Sequence, residues 1–193
     1  FSAANDQEAI LLARTVLSYL PGNHIENPPH TPSGDLVNRE DEALNYIVPL
    51  DPGLAYSMHE VVEHVVDRGS FLEFQAGYAS NALVGMARMD GYPVGIVAQE
   101  PSVMAGVLDI DSSDKISRFV RLCDCFNLPI VTFVDSPGFL PGIDQEYRGI
   151  IRHGAKVLYA YSEATVPKVC IVTRKAYGGA YVVMSSKFLG TDI

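Results

Sequence analysis

The sequence predicts an α/β domain in which a largely parallel sheet is layered against helices. Three observations carry that expectation. From residue 71 onward the hydrophobic period switches between two and about 3.6 in the order strand, strand, helix, strand, helix, strand, helix, which builds crossovers onto a sheet. Asp90-Gly91 between two apolar runs is a two-residue hairpin signal. Val94 to Ala98 and Pro129 to Val134 are strand-sized apolar runs, far short of the roughly 20 residues that cross a membrane as a helix.

Taken in order, Asp6 to Leu20 carries apolar residues at Ile10, Leu11, Ala13, Val16, Leu17 and Leu20, a helical stripe closed by Pro21-Gly22. Four prolines from Pro21 to Pro32, Pro21 included, mark a loop or linker up to Gly34, and Asp51-Pro52-Gly53 marks a turn. Ser57 to Asp67 reads as a helix with Ser57 as N-cap opposite Glu60 and Met58, Val61, Val62, Val65 and Val66 facing inward. Strands are expected at Phe71 to Gln75, Leu83 to Met89 and Pro93 to Ala98. Ser112 or Ser113 then caps a helix from Asp114 to Cys125 whose inner face is Ile116, Phe119, Val120, Leu122 and Cys123. The strand Ile130 to Val134, a loop from Asp135 to Glu146, a helix from Arg148 to Glu163, a buried strand at Cys170 to Thr173 and a helix from Ala180 to Lys187 complete the reading.

With 14 basic and 23 acidic residues the formal charge is -9, which argues against a nucleic-acid surface. The cysteines, Cys123, Cys125 and Cys170, have neither redox nor zinc spacing and read as reduced, buried thiols of a cytosolic or organelle-matrix protein. Asn5 to Glu8 interrupt any secretory core, and a chain that opens on Phe1 and stops at Ile193 reads as a fragment.

The chemistry sits in two turns. Gly178-Gly179 follows an apolar strand and opens a helical pattern, which either packs tightly or presents peptide N–H groups to a developing negative charge. Asp135-Ser136-Pro137-Gly138-Phe139-Leu140-Pro141-Gly142 also follows a strand, stiffened by two prolines and two glycines. Side by side at one sheet edge, such turns form an oxyanion hole, in which each preorganised donor contributes roughly 3 kcal/mol at the transition state. There is no Gly-x-Ser-x-Gly elbow, phosphate loop or His-Glu-x-x-His helix. His59 and His64 lie five apart and do not share a helical face, His153 reads as a surface or half-buried histidine, and Ser136 has no base nearby in sequence. Asp135 reads as a cap or a coordinating carboxylate. An oxyanion scaffold without a side-chain base suits acyl thioesters whose base comes from a cofactor.

Four ordered motifs carry a resemblance over essentially the whole chain: Phe133 to Gly142, Gly149 to Lys156, Glu163 to Pro167, and Thr173-Arg174-Lys175-Ala176-Tyr177-Gly178-Gly179-Ala180-Tyr181, with Leu108-Asp109-Ile110 ahead of Arg118-Phe119-Val120-Arg121. In these the sequence resembles the carboxyltransferase β subunits of biotin-dependent acyl-CoA carboxylases, of the propionyl-CoA carboxylase type. The resemblance implies a crotonase-like α/β fold of ββα units, with residues 1–50 as the end of an N-terminal domain plus linker and 51–193 as a C-terminal carboxyltransferase domain cut short. It implies transfer of a carboxyl group from carboxybiotin to the α-carbon of propionyl-CoA or acetyl-CoA, giving methylmalonyl-CoA or malonyl-CoA, with biotin supplying the base. By the same resemblance Gly179 and Ala180 donate N–H groups to the ureido oxygen, Gly178 and Tyr181 belong to that biotin turn, and Gly138 and Phe139 line the opposing side; no metal is implied. Val182 stands where propionyl-type members usually carry aspartate, so acyl-chain choice is open. The implied partners are acyl-CoA, a biotin carboxylase and biotin carrier subunit, and further β subunits in a hexamer with the site at a dimer interface. The implied compartment is the cytoplasm or the mitochondrial matrix. Two alternatives stand beside this: a docking and assembly module without chemistry, and a crotonase-fold hydratase, which calls for a carboxylate base beside the hole, and no glutamate sits in either turn.

Overall fold

The computed structural model describes residues 1–193. The first helix, α1 (Asp6–Leu17), is capped by Asn5, whose side chain accepts the Glu8 N–H at 2.9 Å. After the prolines come the single turn α2 (Leu44–Ile47) and then α3 (Met58–Val65). Ser57 caps α3 as expected, accepting the Glu60 N–H. The distant Glu100 carboxylate completes the cap by accepting the N–H groups of Met58 and His59 at 3.0 and 3.2 Å.

The sheet runs in the order β1 (Leu72–Glu73), β2 (Ala82–Met89), β3 (Tyr92–Gln99), β4 (Ile130–Ser136), β5 (Lys168–Ala176). β1, β2 and β3 pair antiparallel, and β3, β4 and β5 pair parallel. The hairpin at Asp90-Gly91 forms with φ of 50° and 75°, the left-handed pair that a tight hairpin needs. Asp67 fastens it by accepting both turn N–H groups, at 3.0 and 2.7 Å. Helices α4 (Ile110–Cys125) and α6 (Ile150–Glu163) cover one face, joined to it by α5 (Ile143–Arg148) and followed after β5 by α7 (Gly178–Val183). On the other face Met58, Val61 and Val62 of α3 pack against Leu83, Ile96 and Phe133. Because both faces are covered, alternate residues of β2 to β4 enter different cores and the strands read as apolar runs.

Residues 18–41 lie across this domain and are held mainly by side chains that capture backbone carbonyls. Tyr19 enters the core with the Arg88 guanidinium 4.6 Å above its ring, Arg39 donates to His64 O and Val66 O, and Asn127 donates to His24 O and Glu26 O.

Several expectations are corrected. The helical stripe expected to run to Leu20 ends at Leu17 and is exposed, with Ile10, Leu11 and Leu17 at 57%, 62% and 66%, because periodicity predicts a face and not what covers it. α4 begins at Ile110, not Asp114: Asp109 accepts the Ser112 N–H at 2.8 Å while Ser112 Oγ accepts the Asp109 N–H at 2.9 Å, so the expected caps Ser112 and Ser113 lie inside the helix. The loop from Asp135 contains α5, which Gly149 separates from α6 with φ of 87°. Cys170 to Thr173 is not a buried strand, since β5 is a sheet edge with Ile171 and Val172 at 39% and 48% exposure. α7 ends at Val183 instead of reaching Lys187, and Cys125 is exposed while Cys123 is buried.

Candidate active site

β4 and β5 are neighbours and parallel, so their C-terminal turns meet at one edge of the sheet. In the first turn Ser136 Oγ accepts the Gly138 N–H at 3.3 Å, and Gly138 adopts φ of 145°. Gly138 O accepts from Leu108 N–H at 3.0 Å and Leu108 O accepts from Leu140 N–H at 2.7 Å, a small parallel bridge that holds Phe139 in place. In the second turn the Tyr177 N–H donates back to Ser136 O at 3.4 Å.

The two turns close on the Phe139 ring. A Cβ added at Gly154 of α6 would lie 2.7 Å from Phe139 Cε1, and one at Gly179 would lie 3.6 Å from Cε2. The ring therefore occupies space that a side chain at Gly154 would claim, whereas a Cβ at Gly179 would only touch it. Gly178 has φ of 56° and open space where a Cβ would stand, a conformation and an approach that favour glycine. The first hydrogen bond of α7 runs from Tyr181 N–H to Tyr177 O, so the amides of Gly178, Gly179 and Ala180 precede it, where a helix cannot satisfy its own donors.

Beside these amides is an open groove of about 500 Å³. Phe139, Gly179 and Val182 line it, with Leu140, Ile150 and Leu158 among the apolar walls. Of the other predicted residues, Gly178 is exposed at the rim, Ala180 is fully buried behind the turn, Tyr181 is half-buried, and Gly138 adjoins the groove with its N–H taken by Ser136. Glu146, on α5, is the one ionisable side chain lining the groove, and the sequence reading passed over it because it lies outside both turns.

Asp135 neither caps nor coordinates. It is fully buried and accepts Arg174 Nε at 3.1 Å and the Lys175 N–H at 3.2 Å, tying the end of β4 to the end of β5. Arg174 in turn stacks 4.9 Å from the Tyr56 ring and donates to Asp51 O and Leu54 O. Burial raises the Tyr56 hydroxyl pKa, and that hydroxyl shares a hydrogen bond with Thr173 at 2.9 Å. Opposite charges at the ends of two predicted parallel strands were the available signal for this contact.

Lys115 was also missed. It is buried in α4, burial lowers its pKa, and its ammonium donates to Gln75 O, Tyr78 O and Ala82 O at 3.1, 2.8 and 2.7 Å. The loop it holds carries Asn81, which donates to Val107 O and Asp109 Oδ1 and so braces the segment that pairs with Phe139.

The histidines stand apart from the groove. His153 is half-buried on Asp114 at 2.9 Å, with Lys156 on the same carboxylate oxygen at 2.7 Å. Burial alone would raise the Asp114 pKa, but the hydrogen bonds from Lys156 and His153 outweigh it and hold the carboxyl below its usual range. His59 lies 3.7 Å from Glu63 and Glu73, and His64 lies 2.7 Å from Asp41. Ser136 Oγ faces Gly138 and no base. What lines the groove is an apolar wall with the Gly179 backbone exposed at one end, suited to a neutral ligand with a carbonyl-type oxygen on which charge develops.

The carboxyl transferase domain family matches residues 1–193. The chain is 54% identical over 192 residues to methylmalonyl-CoA decarboxylase subunit alpha of Veillonella parvula, covering 100% of this chain and 38% of that protein. It is 54% identical over 193 residues to the propionyl-CoA carboxylase carboxyltransferase subunit of Haloferax mediterranei, covering 37% of it. The transcarboxylase 12S hexamer, solved with hydrolysed methylmalonyl-coenzyme A bound, superposes with a TM-score of 0.97 at 52% identity, over 100% of this chain and 37% of that one. The chain thus spans little more than a third of these relatives. Its layered ββα architecture is the crotonase-like fold, and the chain belongs to the carboxyl transferase domain family.

Proposed function

We propose that this chain is the biotin-facing half of an acyl-CoA carboxylase carboxyltransferase, moving a carboxyl group between biotin and the α-carbon of propionyl-CoA or acetyl-CoA. In this reading residues 51–193 form the C-terminal carboxyltransferase domain and 1–50 the end of the preceding domain with its linker. The observation that carries it is the pair of glycine turns at one sheet edge, closed on Phe139, with amides at the end of an apolar groove and no histidine among the lining residues.

The residues present fit a ureido ring. Gly178 leaves the approach open and Gly179 is exposed at the groove, so a flat, uncharged group can reach the peptide donors. Biotin, when bound, brings the carboxyl group and a basic ureido oxygen. In this reading the N–H of Gly179, exposed at the groove, and that of Ala180, buried directly behind it, would hold that oxygen, Gly178 and Tyr181 would shape the turn, and Gly138 and Phe139 would line the other side. Phe139 and Leu140 keep water from the amides, which raises the worth of each hydrogen bond. Val182 faces the groove as an apolar wall and bears on acyl-chain choice. A site complementary to the transition state lowers the barrier in both directions. Relatives named for carboxylation and for decarboxylation accordingly match this chain equally well.

The partners in this reading are a biotin carboxylase and carrier subunit, acyl-CoA, and further copies in a hexamer whose site lies at a dimer interface. The cytoplasm or the mitochondrial matrix suits three free cysteines.

The test is carboxyl transfer by the full-length subunit with its biotin-bearing partner on acetyl-, propionyl- and butyryl-CoA, beside Gly179→Val. Activity on at least one thioester, lost on the order of 100-fold in the variant, supports the reading. Failure on all three, or an unaffected variant, overturns it. A hydratase reading has one observation in its favour, the Glu146 carboxylate in the groove, and rapid hydration of crotonyl-CoA would establish it.

A further inference from the structure

We propose that Glu146 accepts a hydrogen bond from the ureido N–H of biotin, across the groove from the amides that hold the ureido oxygen; this rests on the function proposed above. A ureido group presents two kinds of polar edge, a carbonyl acceptor and N–H donors, and an apolar groove must satisfy both or lose affinity. The amides at Gly179 and Ala180 answer only the first. Phe139, Leu140, Ile150, Leu158 and Val182 carry no side-chain acceptor, and Glu146 is the one ionisable group among the lining residues.

The carboxylate is available for that role. The neighbouring Asp144 is taken up by Arg148 at 3.3 Å, whereas the Glu146 side chain has no ion pair or hydrogen bond within the chain. Its backbone is well anchored. Glu146 N–H donates to Gly142 O at 3.0 Å, Glu146 O accepts from Gly149 N–H at 3.1 Å, and the adjacent Gln145 accepts the Ile110 N–H of α4 at 3.3 Å. With Gln145 pinned toward α4, the next residue is turned to the groove. A hydrogen bond to a charged acceptor is about twice as strong as a neutral one, and donation from the ureido N–H shifts electron density toward the oxygen that the amides face.

The test is calorimetric titration of the full-length subunit with free biotin, using wild type, Glu146→Ala, Glu146→Gln and Gly179→Val, with KM for free biotin and for acyl-CoA measured alongside. The expected result is about tenfold or greater weakening of biotin binding in Glu146→Ala. Glu146→Gln, which keeps an uncharged acceptor, falls between it and wild type. The biotin KM rises in Glu146→Ala and the acyl-CoA KM does not. Wild-type biotin affinity in Glu146→Ala, with binding abolished in Gly179→Val, overturns the role of Glu146 and leaves the proposed function standing. A shift confined to the acyl-CoA KM also overturns it. No biotin binding by wild type, or unchanged binding in Gly179→Val, overturns both.

Discussion

Replacing Gly154 by alanine tests the packing that joins the two turns. The new Cβ would stand 2.7 Å from Phe139 Cε1 and 2.8 Å from Cζ. Carbon atoms rest at about 3.5 to 4.0 Å, so the ring must retreat by about 1 Å. Gly179 carries no side chain, and even a Cβ there would stand 3.6 Å from the ring, so the free space lies on that side and the ring shifts across the groove wall beside the Gly179 amide. Overpacking costs about 1 to 3 kcal/mol, while alanine in a helix interior recovers about 1 kcal/mol over glycine. The net loss of stability is therefore between about zero and 2 kcal/mol. A misplacement of about 1 Å at a reacting centre costs on the order of 100-fold in rate. Urea unfolding and carboxyl-transfer assays of Gly154→Ala should thus separate, with stability nearly kept and activity largely lost. Phe139→Leu in the same background removes the clashing ring atoms, and a double-mutant cycle should show coupling of about 1 kcal/mol. A Gly154→Ala protein that is about 1 kcal/mol more stable and fully active would show that the ring is not held between the two glycines.

Three further outcomes follow from the same geometry. Lys115→Met strands carbonyls of the loop between β1 and β2, and should cost about 3 kcal/mol in urea unfolding, with faster amide exchange over residues 75–82; a loss under about 1 kcal/mol would refute the clamp. Asp114 has a folded pKa below its unfolded value, so its contribution is present above about pH 4 and is lost as pH falls through the folded pKa. Acid unfolding of Asp114→Asn should therefore depend less on pH below about 4 than wild type does, by less than about 1 kcal/mol because the site is partly solvated. In the native protein Cys125 alone should react rapidly with a disulfide reagent, since burial pushes the Cys170 thiol up to about 11 and raises Cys123 as well; a second fast thiol would contradict the packing.

Much of the fold is legible from local signals because those signals are local in origin. Asp90-Gly91 makes its hairpin with the φ values that glycine and aspartate tolerate, Ser57 caps α3, and apolar runs become β2 to β4 wherever both faces are covered. The two glycine turns are likewise written in the chain, because only residues of that type adopt such backbone angles without strain.

The rest depends on contacts between residues far apart in sequence, which period and propensity do not encode. Whether the α1 stripe or β5 is covered depends on what lies next to it in space, and the α4 cap fell to Asp109 because its side chain and that of Ser112 satisfy each other. Asp135 meets Arg174 across 39 positions, and the Phe139 ring finds Gly154 and Gly179 on two different helices. Sequence alone determined the main succession of strands and helices from residue 71 onward and the placing of the two glycine turns after strands. Only the tertiary structure decided that those turns share one groove and that Glu146 faces it, because each such meeting is set by how helices settle on a sheet and not by neighbouring residues.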